Sequence, residues 1–163
     1  VKIHKIFLGL GSNMGNREEN LLIAQKTINE KVGITILQSS IYETAAWGLT
    51  EQNAFLNQVI CVETKFLPTE VLQLVLEIEK SMGRIREQKW GARIIDIDIL
   101  YYANKIIKLP DLVIPHPFIQ ERRFVLVPLC EIASEFIHPK LKKSNAKLLE
   151  NCIDSGEISR FCQ

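Results

Sequence analysis

In the stretch Lys89-Trp-Gly-Ala-Arg93-Ile-Ile-Asp96-Ile-Asp98-Ile-Leu100, isoleucine and aspartate alternate. That period of two belongs to a β-strand, in which side chains two apart share a face. Ile95, Ile97 and Ile99 therefore line one side, and Asp96 and Asp98 project together from the other. A rise of about 3.3 Å per residue puts the two aspartate Cα atoms roughly 6.6 Å apart. Two carboxylates that close raise each other's pKa unless cations answer them. Hard divalent ions, Mg²⁺ above all, bind one or two carboxylates and fill their other positions with water and phosphate oxygens. A solvated acidic strand face is the plainer alternative, and what precedes the pair weighs against it.

What precedes it is a concentration of positive charge. Between Lys80 and Arg93 stand five cations (Lys80, Arg84, Arg86, Lys89 and Arg93) against one acid, Glu87. The segment has no periodicity and reads as a loop. Guanidinium groups grip phosphate two-pronged, and a loop can bring them in after the ligand has bound. Trp90 adds a flat apolar cover. Cations beside paired acids suggest a polyphosphate with a metal, the combination used in phosphoryl transfer.

Outward from this stretch the elements fall into a simple order. Residues 3–10 predict a first strand. Asn16 with Glu19 three residues on resembles a capping box; Leu21, Ala24, Ile28 and Val32 then recur at helical spacing up to Gly33. Ile34 to about Thr44 predicts a second strand and Phe55 to about Thr64 a third. Pro68 opens a second helix with Val71, Val75, Ile78 and Met82 on one face and Gly83 as its stop. The fourth strand runs from Arg93 to about Tyr102. This β-α-β-β-α-β order is ferredoxin-like: α+β, a mainly antiparallel sheet with both helices on one face, followed here by a C-terminal α/β extension. Beyond Asn104 prolines punctuate the chain, and Asn145–Cys152 suits a short terminal helix. Residues 1–163 read as one domain.

Composition narrows the function classes. With 163 residues, 47% of them hydrophobic, the chain is long enough to build one core. A net charge of +1 advertises neither nucleic acid nor an anionic membrane. No apolar run approaches the roughly 18 residues that span a bilayer. Cys61, Cys130, Cys152 and Cys162 lack C-x-x-C or zinc-type spacing and read as thiols of a reducing, cytoplasmic setting.

Other candidates are weaker singly. Gly9-Leu-Gly11-Ser-Asn13-Met-Gly15 is one residue too long for the dinucleotide fingerprint and reads as a tight strand-to-helix turn, from which Asn13 could aim its amide into a site. His116, between Pro115 and Pro117, sits on a stiff extended stretch suited to a phosphate or ribose contact. Phe55 (beside Asn57) and Phe124 could each pack in the core or offer a face to a planar ring. His4 and His138 stand apart.

Taken together these motifs resemble the 6-hydroxymethyl-7,8-dihydropterin pyrophosphokinase family of folate biosynthesis. The resemblance rests on Lys89–Leu100, Leu10-Gly-Ser-Asn13, Phe55-Leu-Asn57, Gly83-Arg-Ile-Arg86 and Pro115-His-Pro with Arg122-Arg-Phe124-Val-Leu, in family order to about residue 140. It implies an ATP-dependent diphosphotransferase: the pterin hydroxymethyl oxygen attacks the β-phosphorus of ATP and AMP leaves. It further implies two Mg²⁺ ions on Asp96 and Asp98, with Arg84, Arg86 and Arg93 at the ATP phosphates or in a catalytic loop that includes Lys89 and Trp90. Glu79, Ile99 and His116 match nucleotide-side positions. The pterin would lie between Phe55 and Phe124, with Asn57 and the backbone near Thr44 and Ala46 reading its edge. The partners expected are these two small molecules, with no nucleic acid and no membrane, and the chain is expected to act as a monomer.

Ala92 stands where the family often has proline, Lys89 where it often has arginine, and Thr44-Ala45-Ala46-Trp47 replaces a segment often richer in proline. Ala92 is expected to loosen the loop hinge, Lys89 to give up a bidentate phosphate contact, and the Thr44–Trp47 segment to be less stiff, with no metal ligand or pterin contact removed. Two competitors are a non-catalytic ligand-binding module, which needs no paired aspartates, and a single-strand nucleic acid binder using Arg84, Arg86 and Phe55, which the near-neutral charge disfavours.

Overall fold

The fold was analysed in a computed structural model, which describes residues 1–45, 53–83 and 94–162. The central sheet contains β1 (His4–Ser12), β2 (Ile34–Gln38), β3 (Tyr42–Thr44), β4 (Phe55–Thr64), β5 (Asp96–Tyr102) and β8 (Ile158–Arg160). Its order is β5-β1-β4-β3-β8, with β2 also on β4, and every pairing is antiparallel. Strand order and connection thus match the expected ferredoxin-like core. A separate hairpin joins β6 (Ile107–Leu109) to β7 (Leu112–Ile114).

Helices α1 (Arg17–Lys31) and α2 (Pro68–Ser81) cover one face. Asn16 caps α1 by accepting from the Glu19 N–H at 3.1 Å, and Pro68 starts α2 with its φ already helical. Leu21, Ala24 and Ile28 meet Val71, Val75 and Ile78 over Ile6, Leu8, Leu10, Ile60, Ile97 and Ile99. Gly83 closes α2 at φ +88°, a left-handed position that a Cβ would strain.

Among the described residues the opposite face is covered along part of its length, by α3 (Arg123–Ala133) and α4 (Asn145–Asn151). Here Phe7, Val59, Cys61, Leu100 and Tyr101 pack under Val125, Leu126, Leu129 and Leu148. Burial pushes the Cys61 and Cys130 thiols up to about 11, so both are protonated at neutral pH.

Three sequence expectations change. The second strand is two: the chain steps out after Gln38 and re-enters at Tyr42, and the Ser39 hydroxyl accepts the Val59 N–H at 3.0 Å in place of a ladder carbonyl. α3 forms despite Pro128, because Val125, Leu126 and Leu129 bury at helical spacing and outweigh one missing hydrogen bond. The glycine cluster is less of a turn than expected: Gly9 lies in β1 as residues 3–10 predict, but Gly11 and Ser12 do too, and the chain leaves the sheet only after Ser12.

Candidate active site

Past the start of α3 no helix of the described residues covers the same sheet face, and its residue types change. Gly11 of β1 stands between Asp96 of β5 and Asn57 of β4; two residues earlier, Gly9 faces Asp98 and Val59. Directly paired residues share a face in an antiparallel sheet, so both aspartates, both glycines and Asn57 belong to one surface. Asp96 and Asp98 are half-buried, while Ile95, Ile97 and Ile99 are buried on the other side. The alternation read from the sequence is therefore the alternation of the strand.

The glycines make this surface usable. A Cβ on Gly11 would come within 3.2 Å of Asn57 Oδ1 and 3.6 Å of Phe55. Asn57 is buried, and its Nδ2 donates to Thr44 Oγ1 at 2.8 Å, which fixes which way the amide faces. The neighbouring loop is tied at its base. Asn13 Nδ2 donates to the Asn53 carbonyl at 3.3 Å and Arg17 Nη1 to the Ala54 carbonyl at 2.8 Å.

Two more elements wall the surface. Residues 115–118 return from β7 along β5, and the His116 N–H donates to the Leu100 carbonyl at 2.9 Å. His116 Nδ1 accepts the Phe118 N–H at 3.2 Å. In the neutral ring the proton is then on Nε2. Burial, helped by the Arg122 cation and opposed by Asp96, lowers the His116 pKa to about 4. At neutral pH this histidine is an uncharged donor. Phe124 opens α3, and the Arg122 guanidinium lies 5.7 Å from its ring centroid and 4.9 Å from that of Phe118. Arg122 did not stand out as a site residue in the sequence, though the arginine pair before Phe124 was its signal.

Glu79 and Ile99 occupy other ground. Ile99 is buried in the core under α1 and α2. Glu79 is buried on α2, and its Oε2 accepts the Ile97 N–H at 2.8 Å, an outward-pointing donor of the edge strand β5. Arg84, Arg86, Lys89, Trp90, Ala92, Arg93 and Ala46 lie outside the described residues. So the structure brings Asp96, Asp98, Phe55, Asn57 and Thr44 to one surface, with His116 and Phe124 on the adjoining elements.

The donor chemistry suits a hard cation. Two carboxylates stand side by side opposite glycines that place no side chain over them, an oxygen-donor set of the kind Mg²⁺ takes. Residues 7–134 match the family model for 7,8-dihydro-6-hydroxymethylpterin-pyrophosphokinase, HPPK. The chain belongs to the HPPK family. It is 43% identical over 138 residues to the 2-amino-4-hydroxy-6-hydroxymethyldihydropteridine pyrophosphokinase of Aquifex aeolicus, covering 85% of this chain and 86% of that one. The enzyme of the same name from Methylorubrum extorquens is 42% identical over 134 residues, 82% of this chain and 85% of its own. Among solved structures, the wild-type HPPK-DHPS of Plasmodium falciparum with pteroate superposes with a TM-score of 0.75 at 18% identity. That match covers 91% of this chain and 42% of the Plasmodium chain, and it speaks for the HPPK fold alone.

Proposed function

We propose that this pyrophosphokinase uses Asp96 and Asp98 as its metal-holding pair and the Phe55–Phe124 region as its pterin slot. The reaction it serves transfers pyrophosphate from ATP to the hydroxymethyl group of 6-hydroxymethyl-7,8-dihydropterin and releases AMP, a step of folate biosynthesis. One observation carries the assignment of roles: the two half-buried carboxylates share a sheet face with Asn57, and Gly11 alone stands between Asp96 and that amide.

Asp96 and Asp98 would hold two Mg²⁺ ions, whose chemistry is to neutralise the polyphosphate and to lower the pKa of the attacking hydroxyl. The remaining work is the protein's. His116 offers a neutral Nε2–H donor, which can bind a phosphate or ribose oxygen without adding charge. Asn57, oriented by Thr44, reads the amide edge of the pterin through paired donor and acceptor. Phe55 and Phe124 supply stacking faces. Arg84, Arg86 and Arg93, with Lys89 and Trp90, would meet the phosphates and stabilise the charge that develops on the leaving AMP oxygen. Glu79 supports β5 from beneath, between the two aspartates. The same reading takes residues 1–163 as one catalytic domain acting as a monomer in the cytoplasm.

The test is product analysis with purified protein. AMP should form from ATP only when Mg²⁺ and the hydroxymethylpterin are both present, and the pterin should gain two phosphates. Replacing Asp96 by asparagine should remove the Mg²⁺ dependence of ATP binding. If that dependence survives, the pair is not the metal site.

A further inference from the structure

β3 is only three residues long, yet it carries Thr44, the partner that orients Asn57. Its backbone pairs with β4 and β8, and side chains from two helices brace it as well. One brace comes from α1: Arg17 Nη1 donates to Glu43 at 2.7 Å and also to the Ala54 carbonyl. The other comes from Glu131 on α3. Its carboxylate accepts the Tyr42 hydroxyl at 2.6 Å, the Ser40 hydroxyl at 3.0 Å and the Ser40 N–H at 3.0 and 3.1 Å. Burial opposes the charge on Glu131, but the Tyr42 and Ser40 hydrogen bonds prevail and hold its carboxyl below the usual range.

Glu131 stands seven residues after Phe124 on the same helix, a separation of about two turns or 10 Å. A single carboxylate thus joins the helix bearing one wall of the pterin slot to the strand bearing part of the other. We propose that Glu131 is a positioning residue for the pterin, setting the gap between Phe124 and the Phe55–Asn57–Thr44 wall by tying β3 to α3. A planar ring stacked on both sides is sensitive to that gap, since widening it by about 0.5–1 Å forfeits a quarter to a half of the dispersion attraction. The chain's own C-terminal segment backs the brace: β8 pairs with β3, and the Arg160 guanidinium lies 3.9 Å from Glu131. β8 falls beyond the residues 7–134 that carry the family match. The inference rests on the reading that the pterin lies between Phe55 and Phe124.

Steady-state kinetics on the full chain separate the two. Glu131→Ala should raise the pterin KM about tenfold and leave kcat and the ATP KM within about twofold, the mark of a misplaced ligand wall. Glu131→Gln keeps one acceptor oxygen and should recover at least half of that effect on a logarithmic scale. If Glu131→Ala leaves the pterin KM unchanged, or only lowers Tm, while Phe124→Ala still raises it, the brace is overturned and the slot stands. If Phe124→Ala has no effect on pterin affinity, the slot itself is overturned and the brace with it. Should Glu131→Ala fail to fold, Tyr42→Phe, which removes the hydroxyl donated to Glu131, decides on the same terms, an unchanged pterin KM overturning the proposal.

Discussion

Phe7 and Gly11 stand on one face of one strand, about 13 Å apart at 3.3 Å per residue, and do opposite things. Around Phe7 the face is closed: its ring meets Phe136 at 5.3 Å and Tyr101 at 5.9 Å, and Cys61 lies directly across on β4. Around Gly11 the same strands carry Asp96 and Asn57, and no helix of the described residues covers them. The β1–β4 ladder runs unbroken between the two ends, while the β1–β5 ladder shifts register between Phe7 and Leu8; the cover over the face changes with it. Where α3 and α4 lie over the face, apolar and aromatic residues exclude water and give stability. Past the start of α3 the face carries carboxylates and an amide, which under the proposed function a ligand, rather than a helix, completes.

If this division is right, substitutions at the two ends should fail in different currencies. The largest effect is expected at the open end. Asp96→Ala or Asp98→Ala should lower kcat by at least about a thousandfold, some 4 kcal/mol of transition-state stabilisation. The unfolding midpoint in urea should change far less than kcat, since both side chains are half-buried on the open face and leave the core under α1 and α2 intact. A near-normal rate in both variants would show that the open end is not where the chemistry happens.

At the covered end the pattern should invert. Phe7→Ala empties a site bounded by Tyr101 and Phe136 and should cost about 3–4 kcal/mol of stability. At a temperature where the variant remains folded, kcat and both KM values should lie within about twofold of the parent's, because no group that meets substrate has moved. A selective loss of kcat with unchanged stability would break the division from the other side.

How far this division could be read beforehand differs along the chain. The acid pair was legible because alternation of isoleucine and aspartate is a strong local signal, and β5 obeys it residue by residue. The strand order followed from the order of elements. The break after Gln38 was not legible, because a side chain, Ser39, supplies the acceptor that a ladder carbonyl would otherwise provide. α3 was obscured by Pro128, whose local penalty is overcome by burial that only the folded chain can supply. The meaning of Gly9 and Gly11 was hidden for a related reason. A glycine in a turn and a glycine that clears space in a strand look alike until the residues across the sheet are known.

His116 lies where the two ends meet, held to the Leu100 carbonyl of β5, and its titration gives a smaller test. Its pKa of about 4 in the folded protein, lowered by burial, lies below the value near 6.5 expected of the unfolded chain. The unfolded state therefore binds this proton first as pH falls. The neutral ring's contribution to stability is complete above pH 6.5 and is lost progressively down to about pH 4. In urea titrations of ligand-free protein, His116→Asn should reduce the stability difference between pH 7 and pH 4 by on the order of 2 kcal/mol. An unaltered pH profile would mean that His116 is not buried as the boundary requires.

Gly11→Ala should have the smallest effect and the most discriminating one. The added methyl meets Asn57 Oδ1 at 3.2 Å, closer than ordinary contact, while the backbone of β1 is extended and accepts alanine without strain. Asn57 cannot retreat freely, because Thr44 holds its other amide atom at 2.8 Å. The clash must therefore be relieved by tilting the amide, at a cost of about 1 kcal/mol. That tilt displaces the acceptor that would read the pterin edge, so pterin KM should rise roughly five- to tenfold with ATP KM unchanged. Combining Gly11→Ala with Thr44→Val frees the amide to turn away, and the two changes should then be non-additive in pterin affinity. Additive losses would show that Gly11 and Thr44 act on the ligand separately, and that the open end is not organised around a single fixed amide.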